Sequence, residues 1–227
     1  MYRDENKVIE DSFQAFLTEI AKFTEVEEYP ILEEQMISQI VPKKIIPFDK
    51  CLTYKGKDKK DVFVCTYSRD QTFERIKRNP KRYINCLKEF GGIIGFDFSV
   101  HSDFPIIKQK YTMDLNLSLT YFYGSLGIPI IPNIRCGVDI LEEEYFKCFP
   151  KNTLVAIGTH GFIKTISDQA EWYVLIEKII KILNPSGIIV YGNLNGKIFY
   201  KLKGKINFYF FKPWISEDFE RRKKNGV

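Results

Sequence analysis

A few polar residues stand where apolar runs stop. Asp97, Ser99, His101 and Asp103 follow the run that begins at Gly91. Asn133, Arg135 and Asp139 follow the run that begins at Ile128. Thr159 and His160 follow Thr153, Asn193 follows Gly187, and Lys212 follows Ile206. Together they offer carboxylates, a guanidinium, an imidazole and an ammonium, a set that can bind an anion and move protons.

Each of these residues has an alternative employment. Asp97 sits inside Phe96-Asp97-Phe98, where a half-buried carboxylate needs a partner. It can act as a general base, bind magnesium together with Asp103, or fix a turn through a backbone amide. His160 lies in Gly158-Thr159-His160-Gly161, whose amides can cradle an anion, although a tight turn alone explains the glycines. Arg135 can grip carboxylate or phosphate through its planar fork, or hold Asp97 or Asp139 internally. Cys136 beside it is a reactive thiol only if neighbouring charge lowers its pKa. The catalytic candidates are therefore Asp97 and His160. The ligand-binding candidates are Arg135, Asn133, Ser99, Thr159, Asn193 and Lys212, and no metal set is assigned.

These residues need a scaffold that brings them together. The runs at 61–67, 92–98, 128–134, 153–157, 188–191 and 206–211 are continuous and apolar, as strands buried on both faces are. Helical stretches separate them. Residues 71–90 read as helix broken at Asn79-Pro80. A long helix follows Pro105 and ends at Gly124 and Gly127. A shorter one spans 141–149, and Ser167 opens the clearest helix, with Trp172, Leu175, Ile176, Ile179, Ile180 and Leu183 on one stripe. The expected fold is α/β, a mostly parallel sheet of about six strands with crossover helices. Periodicity does not separate an open doubly wound sheet from a partial barrel. In both, ligands gather at the carboxyl ends of the strands.

Residues 1–45 read as an acidic, mainly helical arm or cap, with an amphipathic helix over 11–23 and a second short one near 32–40. Residues 46–214 form the α/β core and 215–227 a basic tail. A chain of 227 residues with 44% apolar and 28% charged residues is a globular composition able to bury a core. Net charge is +5, unevenly spread between the acidic arm and the basic end. Such asymmetry can steer a charged partner.

The five cysteines form no close pair and only two histidines are present, which argues against zinc and for free thiols in a reducing, cytoplasmic compartment. No apolar run approaches a membrane span. There is no Walker loop, no Gly-x-Gly-x-x-Gly after a strand and no Gly-x-Ser-x-Gly elbow.

Several segments in order carry a resemblance: Phe96-Asp97-Phe98-Ser99, Asp103-Phe104-Pro105, Ile131-Pro132-Asn133-Ile134-Arg135, Ala156-Ile157-Gly158-Thr159-His160-Gly161 and Ile189-Val190-Tyr191-Gly192. The chain resembles the bacterial and phage family known as domain of unknown function 4417, from about Lys43 to Pro213, with the arm before it. The resemblance supplies positions rather than a reaction, and implies a setting in bacteria, their phages or mobile elements. Relatives carry an aromatic residue where Cys136 stands, and arginines where Asn116 and Ser118 stand.

Two functional classes follow. One is a cytoplasmic pocket protein, enzyme or binder, handling a phosphate-bearing or nucleotide-like ligand, with its cofactor unspecified. The other is a non-enzymatic interaction protein of a phage or mobile element, whose charged chain ends bind nucleic acid or a host defence complex.

Overall fold

The computed structural model describes residues 13–101, 103–136, 139–159, 166–192 and 204–216, with the single residues 199, 202 and 223. Seven strands lie among them: β1 (Lys44–Pro47), β2 (Val62–Cys65), β3 (Gly92–Ile94), β4 (Ile130–Ile131), β5 (Leu154–Gly158), β6 (Gly187–Tyr191) and β7 (Phe208–Phe211). Between them come the helices α1 (Phe48–Cys51), α2 (Asp70–Arg78), α3 (Ile84–Lys88), α4 (Ile106–Ser125), α5 (Asp139–Phe146) and α6 (Ile166–Leu183).

The pairing is parallel throughout and sequential. β1 to β4 form one sheet, β5 to β7 a second. The bridge between Asn133 and Ala156 links them, with Ile134 N–H donating to the Ala156 carbonyl at 2.9 Å. A doubly wound sheet reverses its strand order at a switch point, and this order never reverses.

The sheet curls instead. Tyr67, just past β2, and Tyr191, at the end of β6, stack with ring centroids 5.1 Å apart. On a flat sheet four strand spacings would separate them by about 19 Å. Lys44 of β1 likewise places its ammonium 5.1 Å from the ring of Trp214, just beyond β7. The partial-barrel alternative is the one observed, with β1 and β7 as its edges.

Alternation along each strand divides the core in two. Ile45, Phe63, Cys65, Ile94, Ile131 and Ala156 belong to one buried cluster, inside the curl. Their neighbours Ile46, Val64, Ile93, Ile130, Val155 and Val190 belong to the other, shared with Phe73 and Ile76 of α2 and with α4 and α6. Glycines make room for rings inside. A Cβ on Gly92 would stand 2.5 Å from the Phe63 ring and 2.4 Å from the Pro129 carbonyl oxygen; one on Gly158 would stand 2.5 Å from the Tyr67 ring. Side chains from β1 to β6 thus fill the inside of the curl as a packed core.

Four expectations change. The seventh strand, β1, lies across the boundary expected at residue 45; it is short, ends in Pro47 and forms an edge, where proline removes no needed donor. The helix expected over 11–23 is, among described residues, one 3-10 turn (Ala15–Thr18), because Gln14 adopts the left-handed φ of 56° and no helix runs through it. The second short helix is a 3-10 turn at Glu34–Met36. Leu17, Tyr29, Leu32 and Met36 of this segment are buried in the same cluster as the outer face of the sheet. Ser167 lies inside α6, which begins at Ile166.

The break at Asn79-Pro80 falls as expected. α2 stops at Arg78, Pro80 opens a 3-10 turn, and the Asn79 side chain accepts from Arg82 N–H. Among the described residues no helix is long and apolar enough to cross a membrane.

Candidate functional site

The site begins where β3 loses its partners. Gly95 N–H makes the last ladder bond, to the Ile131 carbonyl at 2.9 Å. The next four residues stay extended, and buried amides there need acceptors. Side chains from three elements supply them one by one. Phe96 N–H donates to Thr120 Oγ1 (3.1 Å), Asp97 N–H to Thr66 Oγ1 (2.9 Å), Phe98 N–H to Asn116 Oδ1 (2.8 Å) and Ser99 N–H to Asp70 Oδ2 (3.2 Å). Asn116 closes a second bond from Nδ2 to the Phe98 carbonyl at 3.0 Å. The β3 exit is therefore clamped by α4 on one side and by the β2–α2 turn on the other.

This clamp presents the Asp97 carboxylate at the mouth of the curl, 9% exposed. Asn133 Nδ2 donates to its Oδ1 at 2.8 Å, and Arg135 Nε stands 4.0 Å from the same oxygen. Asn133 is itself held: its Oδ1 accepts from the Tyr67 hydroxyl at 2.8 Å, and its Nδ2 also reaches the Phe96 carbonyl at 3.0 Å. Arg135 N–H donates to the Tyr145 hydroxyl at 3.1 Å. Burial pushes the Asp97 pKa above the ordinary carboxylate value, against the pull of the Arg135 guanidinium and the Asn133 amide; Asp70 adds to the rise. Burial likewise holds the Tyr67 and Tyr145 phenols neutral, well above their usual range.

A cavity of about 530 Å³ opens over these groups, at the carboxyl ends of the strands. Its lining includes the polar Asp49, Lys50, Arg69, Thr72, Asp97 and Ser99, with the Lys50 ammonium 3.2 Å from Asp49, and the aromatic Tyr67, Tyr191 and Trp214. The Trp214 backbone N–H donates to the Tyr191 hydroxyl at 2.9 Å, and the Lys44 ammonium sits over the Trp214 ring. A volume of this size, lined by aromatic rings and charged groups, accommodates a ligand that has a planar ring and an anionic group.

Asp97 and Ser99 line the cavity. Asn133 and Arg135 are buried around Asp97. Thr159 is buried just past β5, its N–H donating to the Tyr191 carbonyl at 2.9 Å. Lys212 follows β7 and is exposed. His160 and Asn193 lie outside the described residues. His101 is exposed, with its ring 4.7 Å from that of Phe104, and Asp103 is exposed on the same loop.

Lys50 and Arg69, which line the cavity, are not among the site candidates read from the sequence. Both follow strand ends, β1 and β2, to which the carboxyl-end rule applies as well as to the later ones. Asn116 is the clamp on Phe98. Ser118 donates to Asp114 Oδ1 at 3.3 Å.

Comparison with known proteins gives two phage relatives. The chain is 24% identical over 125 residues to the Gene 1 protein of Mycobacterium phage L5, covering 55% of each chain. It is 22% identical over 125 residues to the Gene 1 protein of Mycobacterium phage D29, covering 55% of this chain and 46% of that one. The chain thus spans about half the length of the curated relatives it matches. No solved structure matches. The family match starts at residue 22, inside the segment expected to precede it, and takes in β1 to most of β7 and every described group of the mouth but Trp214. Over residues 22–210, the chain belongs to the family Domain of unknown function (DUF4417).

Proposed function

We propose that the mouth of the curled sheet is a binding site for a phosphate-bearing ligand of the nucleotide class, in a protein that works inside a bacterial host cell. The observation that carries this reading is the cavity's mixed aromatic and charged lining. A planar ring lies against Trp214, and an anionic group meets Arg69 and Lys50, the latter shared with Asp49, with Ser99 and Thr72 as hydrogen-bonding groups.

Asp97 takes the acid–base role in this reading. Burial raises its pKa above the ordinary carboxylate value, and the Asn133 amide fixes the orientation of its carboxyl group. Arg135 tempers the charge on Asp97 instead of meeting the ligand, since it stands beside the carboxylate and away from the cavity wall. His160 is the proton partner assigned from sequence, one residue beyond Thr159.

Calorimetric titration with adenosine and guanosine monophosphates and triphosphates, and with inorganic phosphate as control, tests the proposal. Nucleotide binding is expected, weakened at least about tenfold by Asp97→Ala or Arg69→Ala in folded protein, a loss of about 1.4 kcal/mol. Absence of binding by any of these compounds, or equal binding by both variants, overturns it.

A further inference from the structure

A second surface has its own chemistry, away from the mouth. α2 and the 3-10 turn after it carry Lys77, Arg78 and Lys81, while the N-terminal segment and α4 bring aromatic rings to the same place. The Gln14 side-chain amide donates to the Lys77 carbonyl at 2.7 Å, which sets Phe13 and Phe16 beside α2. The Lys77 ammonium lies 5.4 Å from the Tyr111 ring centroid, and the Lys81 ammonium 4.3 Å from that of Phe16.

Two of these rings are exposed: Phe13 is 94% exposed and Tyr111 54%. Phe16 is half-buried, edge-on to Phe122. Among the described residues, the carboxylate paired with these cations is Glu74, 3.8 Å from Arg78 in an exposed pair of the kind worth little. From Arg69 to Arg82 the chain holds six basic residues against Asp70 and Glu74, and Asp70 is occupied by Ser99.

Cations that follow a backbone of phosphates, with aromatic faces between them on which bases stack, are what a single strand of nucleic acid requires. An acidic protein would use the charges but not the bare rings. We infer that the face made by Lys77, Arg78, Lys81, Phe13, Phe16 and Tyr111 binds single-stranded nucleic acid, with the cations on phosphates and Tyr111 and Phe13 stacking on bases. This does not depend on the mouth pocket or on the charged chain ends.

Fluorescence anisotropy of labelled 20-mer oligothymidylate and oligouridylate on the full chain tests the inference. Binding is expected at low salt, with a logarithmic salt slope of about −2, since three phosphate contacts on a single strand contribute roughly −0.7 each. The combined Lys77→Gln, Arg78→Gln, Lys81→Gln variant is expected to remove most of that slope.

Tyr111→Ala should weaken binding about tenfold at every salt concentration, and Tyr111→Phe should restore it, because the phenyl face suffices for stacking. Thermal melting of each variant confirms that it is folded. Asp97→Asn leaves oligonucleotide binding unchanged, which separates this surface from the mouth. Failure of both oligonucleotides to bind at low salt overturns the inference. So does native-like binding by the folded triple variant, or equal competition by polyglutamate, which would mark a surface that reads only charge.

Discussion

The same strands serve two regions that obey opposite rules. Inside the curl, Ile45, Phe63, Ile94, Ile131 and Ala156 are apolar, and glycines on facing strands leave room for aromatic rings. One turn of chain further, at the carboxyl ends, Thr66, Asp97, Asn133, Arg135 and Thr159 are just as buried but polar. The interior gains from removing apolar surface from water. The mouth spends part of that gain on desolvating a carboxylate and a guanidinium. A fold needs the first region. The second costs stability, and the proposed function rests on it.

The comparison can be broken by substitution. Phe63→Ala removes a ring that fills the interior, and should cost about 3–5 kcal/mol in denaturant unfolding. Arg135→Ala leaves the Asp97 carboxylate buried without its counter-charge. A loss of about 3 kcal/mol is expected at pH 7, shrinking in acid as Asp97 takes up a proton. A mouth that tolerated this change at every pH would not be the strained region described.

Smaller changes sharpen the contrast. Asn116→Ala orphans both the N–H and the C=O of Phe98 and should cost about 2 kcal/mol, with faster amide exchange at 96–99. Tyr67→Phe removes one hydroxyl from Asn133 and should cost about 1 kcal/mol, leaving the ring stack on Tyr191 intact.

The pH dependence of stability gives the finest distinction. The pKa of Asp97 is raised on folding, so between its unfolded and folded values the native state binds more protons than the unfolded one. Its contribution is favourable below the unfolded pKa and is lost as pH rises through the folded pKa. Asp97→Asn should abolish that descending component, seen as the difference between the two stability curves.

Much of the scaffold was legible because buried parallel strands announce themselves as apolar runs with abrupt polar ends. Six of the seven strands were visible in this way. β1 was not, since four residues ending in proline resemble a loop until a neighbour pairs with them. The arm's helix was misread because apolar spacing does not reveal that Gln14 is left-handed.

At the site, position at a strand end singled out Asp97 and Ser99 as cavity-facing residues. The Arg135–Asp97 pair was one of the alternatives open for Arg135, whereas the Asn133 contact to Asp97 depends on how closely β3 and β4 lie. Lys50 and Arg69 were not among the site candidates, because β1 does not read as a strand and Arg69 lies four residues beyond β2. The role of Asn116 was invisible, because a side chain that clamps a distant backbone leaves no local pattern.

Titration of the Asp97 carboxyl carbon by NMR bears most directly on the mouth. A midpoint clearly above the ordinary aspartate value of about 3.9, moving up again when Arg135 is replaced by Met, is the predicted result. A midpoint at or below that value would contradict the account, for Asp97 would then be a plain ion-paired carboxylate.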